Sequence, residues 1–405
     1  MRLCKSLFSV VLAGVSLFVL GGNPSAAQAE DTIKIGEINS YTRLPAFTEP
    51  YKKGWKLAVE QINNSGGLLG RKLEVISRDD AGKPGNAVKI AEELVSKDKV
   101  ALLAGTFFSH IGLAVTDFAK QKKVLFIASE PLSDAIVWSK GNDYTFRLRP
   151  STYVQSAMLA KEAAKLPAKK WATIAPNYAY GKDAVKAFKK VLLELRPDVE
   201  FVGEQWPALF KIDAGSTVRA IEAVKPDAIF NVTFGGDLAK FVREGSIRGL
   251  FEGREVASLL TGEPEYLDPL KGEAPKGWIV TGYPRDFITT KAHQDYVDAY
   301  LAKYSELPKT GSLVGYNTIL SIAAAIKKAG NTDRDSLLKA MQNLSFDSPS
   351  GPIVFRASDH QSTMGAWVGR TALKDGKGIM VDWHYADGSN FLPDAEKVKM
   401  LRPSN

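Results

Sequence analysis

Residues 33–40 read IKIGEINS and residues 52–80 read KKGWKLAVEQINNSGGLLGRKLEVISRDD, with a polar-aromatic turn between them. The first piece has the composition of a buried strand. The second is an amphipathic helix closed by glycines and followed by another strand. A β-loop-α-β unit of this kind leaves its first loop at the carboxyl end of a strand, where open α/β sheets bind ligands.

An export signal precedes this unit. Arg2 and Lys5 make a basic start, Leu7 to Leu20 is an apolar run, and Ala27-Gln28-Ala29 is a small-residue cleavage site. The run is shorter than the ~20 residues of a comfortable membrane span, which disfavours an uncleaved anchor. Cleavage near Ala29 is therefore expected, with residues 1–29 as a signal peptide. The sole cysteine, Cys4, would leave with it. A mature chain without cysteine has no disulfide, thiolate metal site or cysteine nucleophile, and at this length it can be stabilised by its core.

The chain is 45% hydrophobic and 24% charged, with a net charge of +8. Its length suggests two domains at ~150 residues each. Lysine pairs such as Lys52-Lys53, Lys169-Lys170 and Lys327-Lys328 are spread along helical stretches. Nucleic-acid binding wants one clustered stripe instead, so no nucleic-acid partner is expected.

Apolar runs alternate with helical stretches along the rest of the chain. Strands are predicted at Val100–Ala104, Val124–Ile127, Trp171–Ala175, Val199–Gln205, Ala228–Val232, Val256–Leu260 and Trp278–Thr281. Helices are predicted at His110–Gln121, Ser151–Leu166, Lys182–Glu194, Ser216–Val224 and Leu238–Gly245, then at His293–Tyr304, Leu313–Lys328 and Arg334–Leu344. This alternation predicts parallel sheets covered on both faces. From Gly351 the pattern changes to short antiparallel strands with Asp-Gly turns at Asp375-Gly376 and Asp387-Gly388. Breaks at Arg147–Pro150, Thr281–Pro284 and Gly351–Phe355 suit a chain that crosses between two lobes three times. The lobes would comprise residues 30–148 with 282–352, and 149–281 with 353–405.

Seven segments in order carry a resemblance to a known family: IKIGEINS (33–40), GWKLAVEQINNSGGLLGRKLEVISRDD (54–80), LLAGTFFSHIGLAV (102–115), LFIASEP (125–131), NYAYGKDAVKAFK (177–189), PDAIFNVTFGGDLAKFVREG (226–245) and GPIVFRASDHQ (351–361). The chain resembles the type I periplasmic solute-binding proteins of the leucine/isoleucine/valine-binding family, which serve ABC importers. The resemblance covers the whole mature chain. It implies an α/β fold of two Rossmann-like lobes, with parallel sheets flanked by helices and a three-crossover hinge. It also implies a monomer in the periplasm, closing over one small molecule and docking to permease subunits in the inner membrane. A sensor docking to a membrane receptor would use the same closure.

The resemblance, laid on loops at strand carboxyl ends, points to a ligand site. Phe47, in the loop Tyr41 to Phe47, falls where the family places an aromatic ring. In Gly105–Ser109, Ser109 matches the family's ligand-binding serine, with Phe107 or Phe108 as a wall. A carboxylate there would meet the start of a helix; Ser109 as a plain N-cap is the alternative. Glu130, Pro131 and Leu132 stand where the family has a small residue and a threonine, a departure that puts simple branched-chain specificity in doubt. Glu130 could accept from an amino or phenolic group, or form a salt bridge at the cleft rim. In the second lobe Tyr178, Tyr180 and Phe234 offer rings. Gly262 aligns with the family's amine-binding acid and Glu263 is its neighbour; if Glu263 faces the cleft the ligand carries an ammonium, and otherwise it is an acid without one. Tyr283 is a further wall. The expected ligand is a small amphipathic carboxylate, an aliphatic or aromatic amino acid, with an aromatic acid as the alternative.

Catalysis is not expected. G-x-S-x-G, P-loop and G-x-G-x-x-G motifs are missing. The histidines His110, His293, His360 and His384 lack paired metal-ligand spacing, so neither metal nor cofactor is expected. Asp79-Asp80 corresponds to structural loop anchors of the family.

Overall fold

The computed structural model describes residues 32–402; the expected signal peptide and its cleavage site lie outside them. The chain starts with β1 (Ile33–Asn39), in which only Lys34 is not buried, as befits a central strand covered on both faces. Helix α1 (Pro45–Asn64) follows, opened by a proline whose missing N–H costs nothing at that position. Then come β2 (Leu73–Asp79), α2 (Pro84–Ser96), β3 (Leu102–Gly105), α3 (Ser109–Lys122), β4 (Phe126–Ala128) and β5 (Thr145–Arg147). These five strands form one parallel sheet in the order β2-β1-β3-β4-β5.

A second α/β block repeats the scheme. It runs α4 (Thr152–Ala163), β6 (Lys170–Ile174), α5 (Ala179–Leu195), β7 (Glu200–Gln205), α6 (Ala214–Ala223), β8 (Ala228–Asn231), α7 (Gly235–Ile247), β9 (Glu255–Gly262), α8 (Pro264–Leu270) and β10 (Ile279–Gly282). Its parallel order, β7-β6-β8-β9-β10, matches the first sheet position for position. Each sheet reverses strand order once, between β1 and β3 and between β6 and β8. Such reversals open the crevice in which doubly wound sheets hold ligands.

The chain then returns to the first sheet through α9 (Lys291–Tyr304), α10 (Thr310–Ala329), α11 (Arg334–Met341) and the antiparallel pair β11 (Leu344–Ser348) and β12 (Gly351–Phe355). Helix α10 lies directly on α1. The two backbones approach so closely that a Cβ on Gly54 would stand 1.9 Å from the Ser312 carbonyl oxygen, and one on Gly315 would stand 2.1 Å from that of Tyr51. Finally β13 (Ala366–Lys374) and β14 (Lys377–Ala386) add antiparallel to the edge of the second sheet beside β10, and α12 (Ala395–Leu401) ends the described chain.

The molecule is thus two α/β lobes with parallel sheets flanked by helices. The chain passes between them after β5, after β10 and after β12. The expected break at Gly351–Phe355 is corrected: this stretch is strand β12, and Ile353 and Phe355 pack with Phe146 and Leu344 on the side of the first sheet. Asp375-Gly376 makes the anticipated hairpin, both residues at positive φ (51° and 71°) as a two-residue turn requires. Asp387-Gly388 does not; the Asp387 carboxylate caps a short 3-10 turn by accepting from Ser389 N. The helix expected to reach Leu344 stops at Met341, because Leu344 starts β11. Among the described residues no helix is long and apolar enough to cross a membrane.

Candidate functional site

The carboxyl ends of the strands in both sheets face one cavity. It is lined by Phe107 and Ser109 after β3, Glu130 and Leu132 after β4, and Arg149 after β5. From the second sheet come Tyr178 and Tyr180 after β6, Phe234 after β8, and Leu260 in β9.

Rings make most of its wall. Phe107 lies 6.3 Å from Phe234 between centroids, and Phe234 meets Tyr180 edge-on at 5.7 Å. Phe47 is not in the wall. The helix starts at Pro45, so the loop expected to run to Phe47 is shorter, and Phe47 sits in the first turn of α1, buried behind Phe107 at 4.9 Å.

Three helices, α3, α5 and α7, begin at this cavity, and their N-cap residues are Phe108, Tyr178 and Phe234. None makes a side-chain cap, whereas helices ordinarily recruit Ser, Thr, Asp or Asn there to satisfy first-turn N–H groups. Three positive helix ends without side-chain caps therefore converge on one small volume, which favours an anion. Ser109 is the first residue of α3, not its N-cap. Its Oγ accepts from Ser133 N at 3.1 Å, leaving the hydroxyl proton available.

Arg149 supplies the formal positive charge. It is 3% exposed, and its guanidinium lies 5.1 Å over the Phe47 ring and donates through Nη2 to Glu263 Oε1. Its Nε and Nη1 make no hydrogen bond among the described residues, so two donor groups stay available for a ligand. Burial pushes the Glu263 carboxyl up, and Arg149 beside it pulls it back.

Glu130 is 1% exposed. Asn39 Nδ2 donates to its Oε2 at 2.7 Å, while Oε1 is buried without a protein partner. Burial pushes this carboxyl well above the ordinary range, against the Asn39 hydrogen bond and the nearby Arg149. The Tyr180 hydroxyl is likewise buried and unpartnered. Backbone strain also gathers here: Thr106 and Leu260 hold φ of 61° and 64°, a region costly for residues with a Cβ and common at ligand sites.

Residues 32–377 match the family model described as periplasmic binding protein. The chain belongs to the periplasmic binding protein family. Among its relatives is a leucine-, isoleucine-, valine-, threonine- and alanine-binding protein of Pseudomonas aeruginosa, 27% identical over 83% of this chain and 89% of the relative. A solved solute-binding protein of an ABC transporter from Rhodopseudomonas palustris BisB5, in complex with 3,4-dihydroxybenzoic acid, is 27% identical with a TM-score of 0.78, covering 88% of this chain and 98% of that one. One from Rhodopseudomonas palustris HaA2, in complex with p-hydroxybenzoic acid, has a TM-score of 0.79 at 24% identity over 88% and 98% of the two chains, and supports the fold alone. The family is one of solute-binding proteins.

Of the residues singled out in this binding protein's sequence, Phe107, Ser109, Glu130, Leu132, Tyr178, Tyr180 and Phe234 come together around the cavity. Phe108 turns toward His110 and Phe210 instead, at 5.6 and 6.0 Å. Pro131 packs over Gly112. Glu263 lies behind Arg149 rather than in the wall. Gly262 and Tyr283 line a separate recess, and the Tyr283 hydroxyl lies 2.6 Å from His293 Nε2.

Arg149 and Leu260 were not anticipated. Arg149 sits in Phe146-Arg147-Leu148-Arg149-Pro150, where arginines alternate with apolar residues. Arg147 is fully buried and donates to the Leu132 carbonyl at 3.1 Å. A pair of arginines in an apolar run at a strand end is a readable signal of buried cations needing partners. Leu260 carried no signal, since its positive φ appears only in the backbone. Among the described residues no group of three His, Cys, Asp or Glu side chains could hold a metal ion.

Proposed function

We propose that this chain is the periplasmic solute-binding component of an ABC importer, capturing a small amphipathic carboxylate and handing it to permease subunits. The observation that carries this reading is the cavity between the two sheets, where Arg149 and three helix N-termini without side-chain caps meet a wall of aromatic rings. In this account residues 30–148 with 282–355 form one lobe and 149–281 with 356–405 the other, the third crossing lying beyond Phe355. The protein is exported by cleavage near Ala29, acts as a monomer and binds rather than transforms its ligand.

Ligand contacts from both lobes favour the closed state, and closure is driven by that difference in affinity. The residues in the assigned roles are Ser109, Arg149 and the helix ends for the carboxylate, and Phe107, Tyr178, Tyr180, Phe234, Leu132 and Leu260 for the apolar body.

Within the carboxylates, an aromatic acid without an amino group is favoured. The acid expected to hold an ammonium, Glu263, is engaged by Arg149 and stands outside the wall. A hydrophobic amino acid is the second reading, supported by the Pseudomonas aeruginosa relative and by the unpartnered carboxyl oxygen of Glu130. A thermal-shift screen separates them, because a ligand at a hundred times its Kd adds ~2.7 kcal/mol of apparent stability. Benzoate-type acids are expected to raise the melting temperature and leucine or phenylalanine to leave it unchanged. The opposite pattern would select the second reading, and no shift with any carboxylate would refute the first claim.

A further inference from the structure

We propose that Glu130 is the specificity-determining residue of this cavity, and that it selects ligands bearing a hydroxyl group in addition to their carboxylate. The inference rests on the carboxylate reading above and narrows its ligand class. Three observations carry it. Glu130 lines the cavity and is 1% exposed, so its carboxyl is withdrawn from bulk solvent. Its orientation is fixed, because Asn39 Nδ2 holds Oε2 at 2.7 Å. Its other oxygen, Oε1, has no protein partner. A buried polar atom left unmatched costs as much as a lost hydrogen bond or more, and in this reading the ligand supplies the partner.

The partner's chemistry follows from the neighbours. Arg149 lies near Glu130 and carries a fixed positive charge. An ammonium placed against Glu130 would be desolvated beside that guanidinium. Burial raises the Glu130 carboxyl well above its ordinary range, which disfavours its charged form and favours a neutral partner over a cationic one. A hydroxyl fits either state, since it accepts from a protonated Oε1 and donates to an ionised one. A plain aromatic acid presents a C–H edge and leaves Oε1 unmatched.

The test compares benzoate, 4-hydroxybenzoate, 3,4-dihydroxybenzoate and phenylalanine by isothermal titration calorimetry on the purified mature protein, together with Glu130→Leu and Glu130→Gln. The wild type is expected to bind at least one hydroxylated acid roughly tenfold to hundredfold more tightly than benzoate. Glu130→Leu is expected to lose that preference and bind benzoate at least as well as the wild type does. Glu130→Gln, which keeps a polar group toward the cavity, is expected to retain the preference within several-fold. Thermal melts of both variants confirm folding, and the wild-type comparison does not depend on them. Equal wild-type affinity for benzoate and both hydroxylated acids overturns the proposal, as does a preference that survives in Glu130→Leu. Tighter binding of phenylalanine than of any hydroxylated acid also overturns it. If no carboxylate binds at all, the failure lies in the functional reading itself, and the proposal falls with it.

Discussion

Replacing Arg149 with methionine separates the two roles the structure gives this side chain. Arg149 and Glu263 are each 3% exposed and paired with each other. Removing one partner of a buried pair costs ~3–5 kcal/mol, because the remaining charge is stranded. Burial already favours protonation of Glu263, so the cost for Arg149→Met should sit near the lower end, about 3 kcal/mol by the same rule. Loss of the guanidinium over Phe47 adds ~0.5–2 kcal/mol. The double variant Arg149→Met/Glu263→Gln removes both charges and should recover most of the stability, since neutral replacements of buried pairs are often neutral or stabilising. Ligand affinity should not recover, because a charge-assisted hydrogen bond to the ligand carboxylate, ~1.5–3 kcal/mol, is absent from both variants. Urea unfolding measures the first quantity and titration calorimetry the second. A double variant that binds carboxylates like the wild type would refute the assignment of Arg149 as the ligand's cation. A single variant as stable as the wild type would refute the ion-pair argument.

Other perturbations probe other parts of the fold. Asp183, on α5, accepts from the Ser133 hydroxyl and from Asp134 N at 3.1 Å, tying the second lobe to the loop after β4. Asp183→Ala should weaken ligand binding by ~1–2 kcal/mol, seen as faster ligand release in stopped-flow measurements; an unchanged off-rate would show that the tie does not hold the closed state. Gly315→Ala places a Cβ 2.1 Å from the Tyr51 carbonyl oxygen and forces α1 and α10 apart. It should cost ~1–3 kcal/mol in urea unfolding, and no loss would contradict the packing. Burial raises the Glu37 carboxyl from 4.5 to about 8, against hydrogen bonds from Ser77 and Tyr41. The folded protein then holds a proton that the unfolded chain releases, so the Glu37 contribution to stability is full below pH 4.5 and is lost as pH rises toward 8, by at most ~1.4 kcal/mol per unit. His110, His293 and His360, lowered by burial, act in the opposite direction, so the readout is the difference between wild type and Glu37→Gln: the wild type should lose stability relative to the variant as pH rises from 4.5 to 8, and a relative gain would contradict the sign.

Much of the scaffold was legible because it is written in local pattern. Apolar runs and helical stretches gave the strands at Trp171–Ala175 and Ala228–Val232 within a residue of β6 and β8. Elements without a strong pattern escaped. Helix α8 is seven residues long and contains Pro264 and Pro269, and β5 is three residues long beside an expected break between lobes. Helix α2 shows buried residues at Ala87, Ala91 and Leu94, a helical spacing that the alternation of longer elements overshadowed.

At the site, ring positions at strand ends were readable, but side-chain direction was not. Phe107 faces the cavity while Phe108, its neighbour, faces Phe210, and no spacing rule distinguishes them. Arg149 was hidden because its stretch looked like a connection between lobes. The pairing of Arg149 with Glu263 joins residues 114 apart in sequence and exists only once the chain has folded.

The most direct test of the account is a crystal structure of the mature protein with bound 4-hydroxybenzoate. It should show the ligand between the two sheets, its carboxylate within hydrogen-bond reach of Arg149 and Ser109, its ring against Phe107, Tyr180 and Phe234, and its hydroxyl at Glu130 Oε1. A ligand bound elsewhere, or an Arg149 still paired only with Glu263 and turned away from the carboxylate, would contradict it.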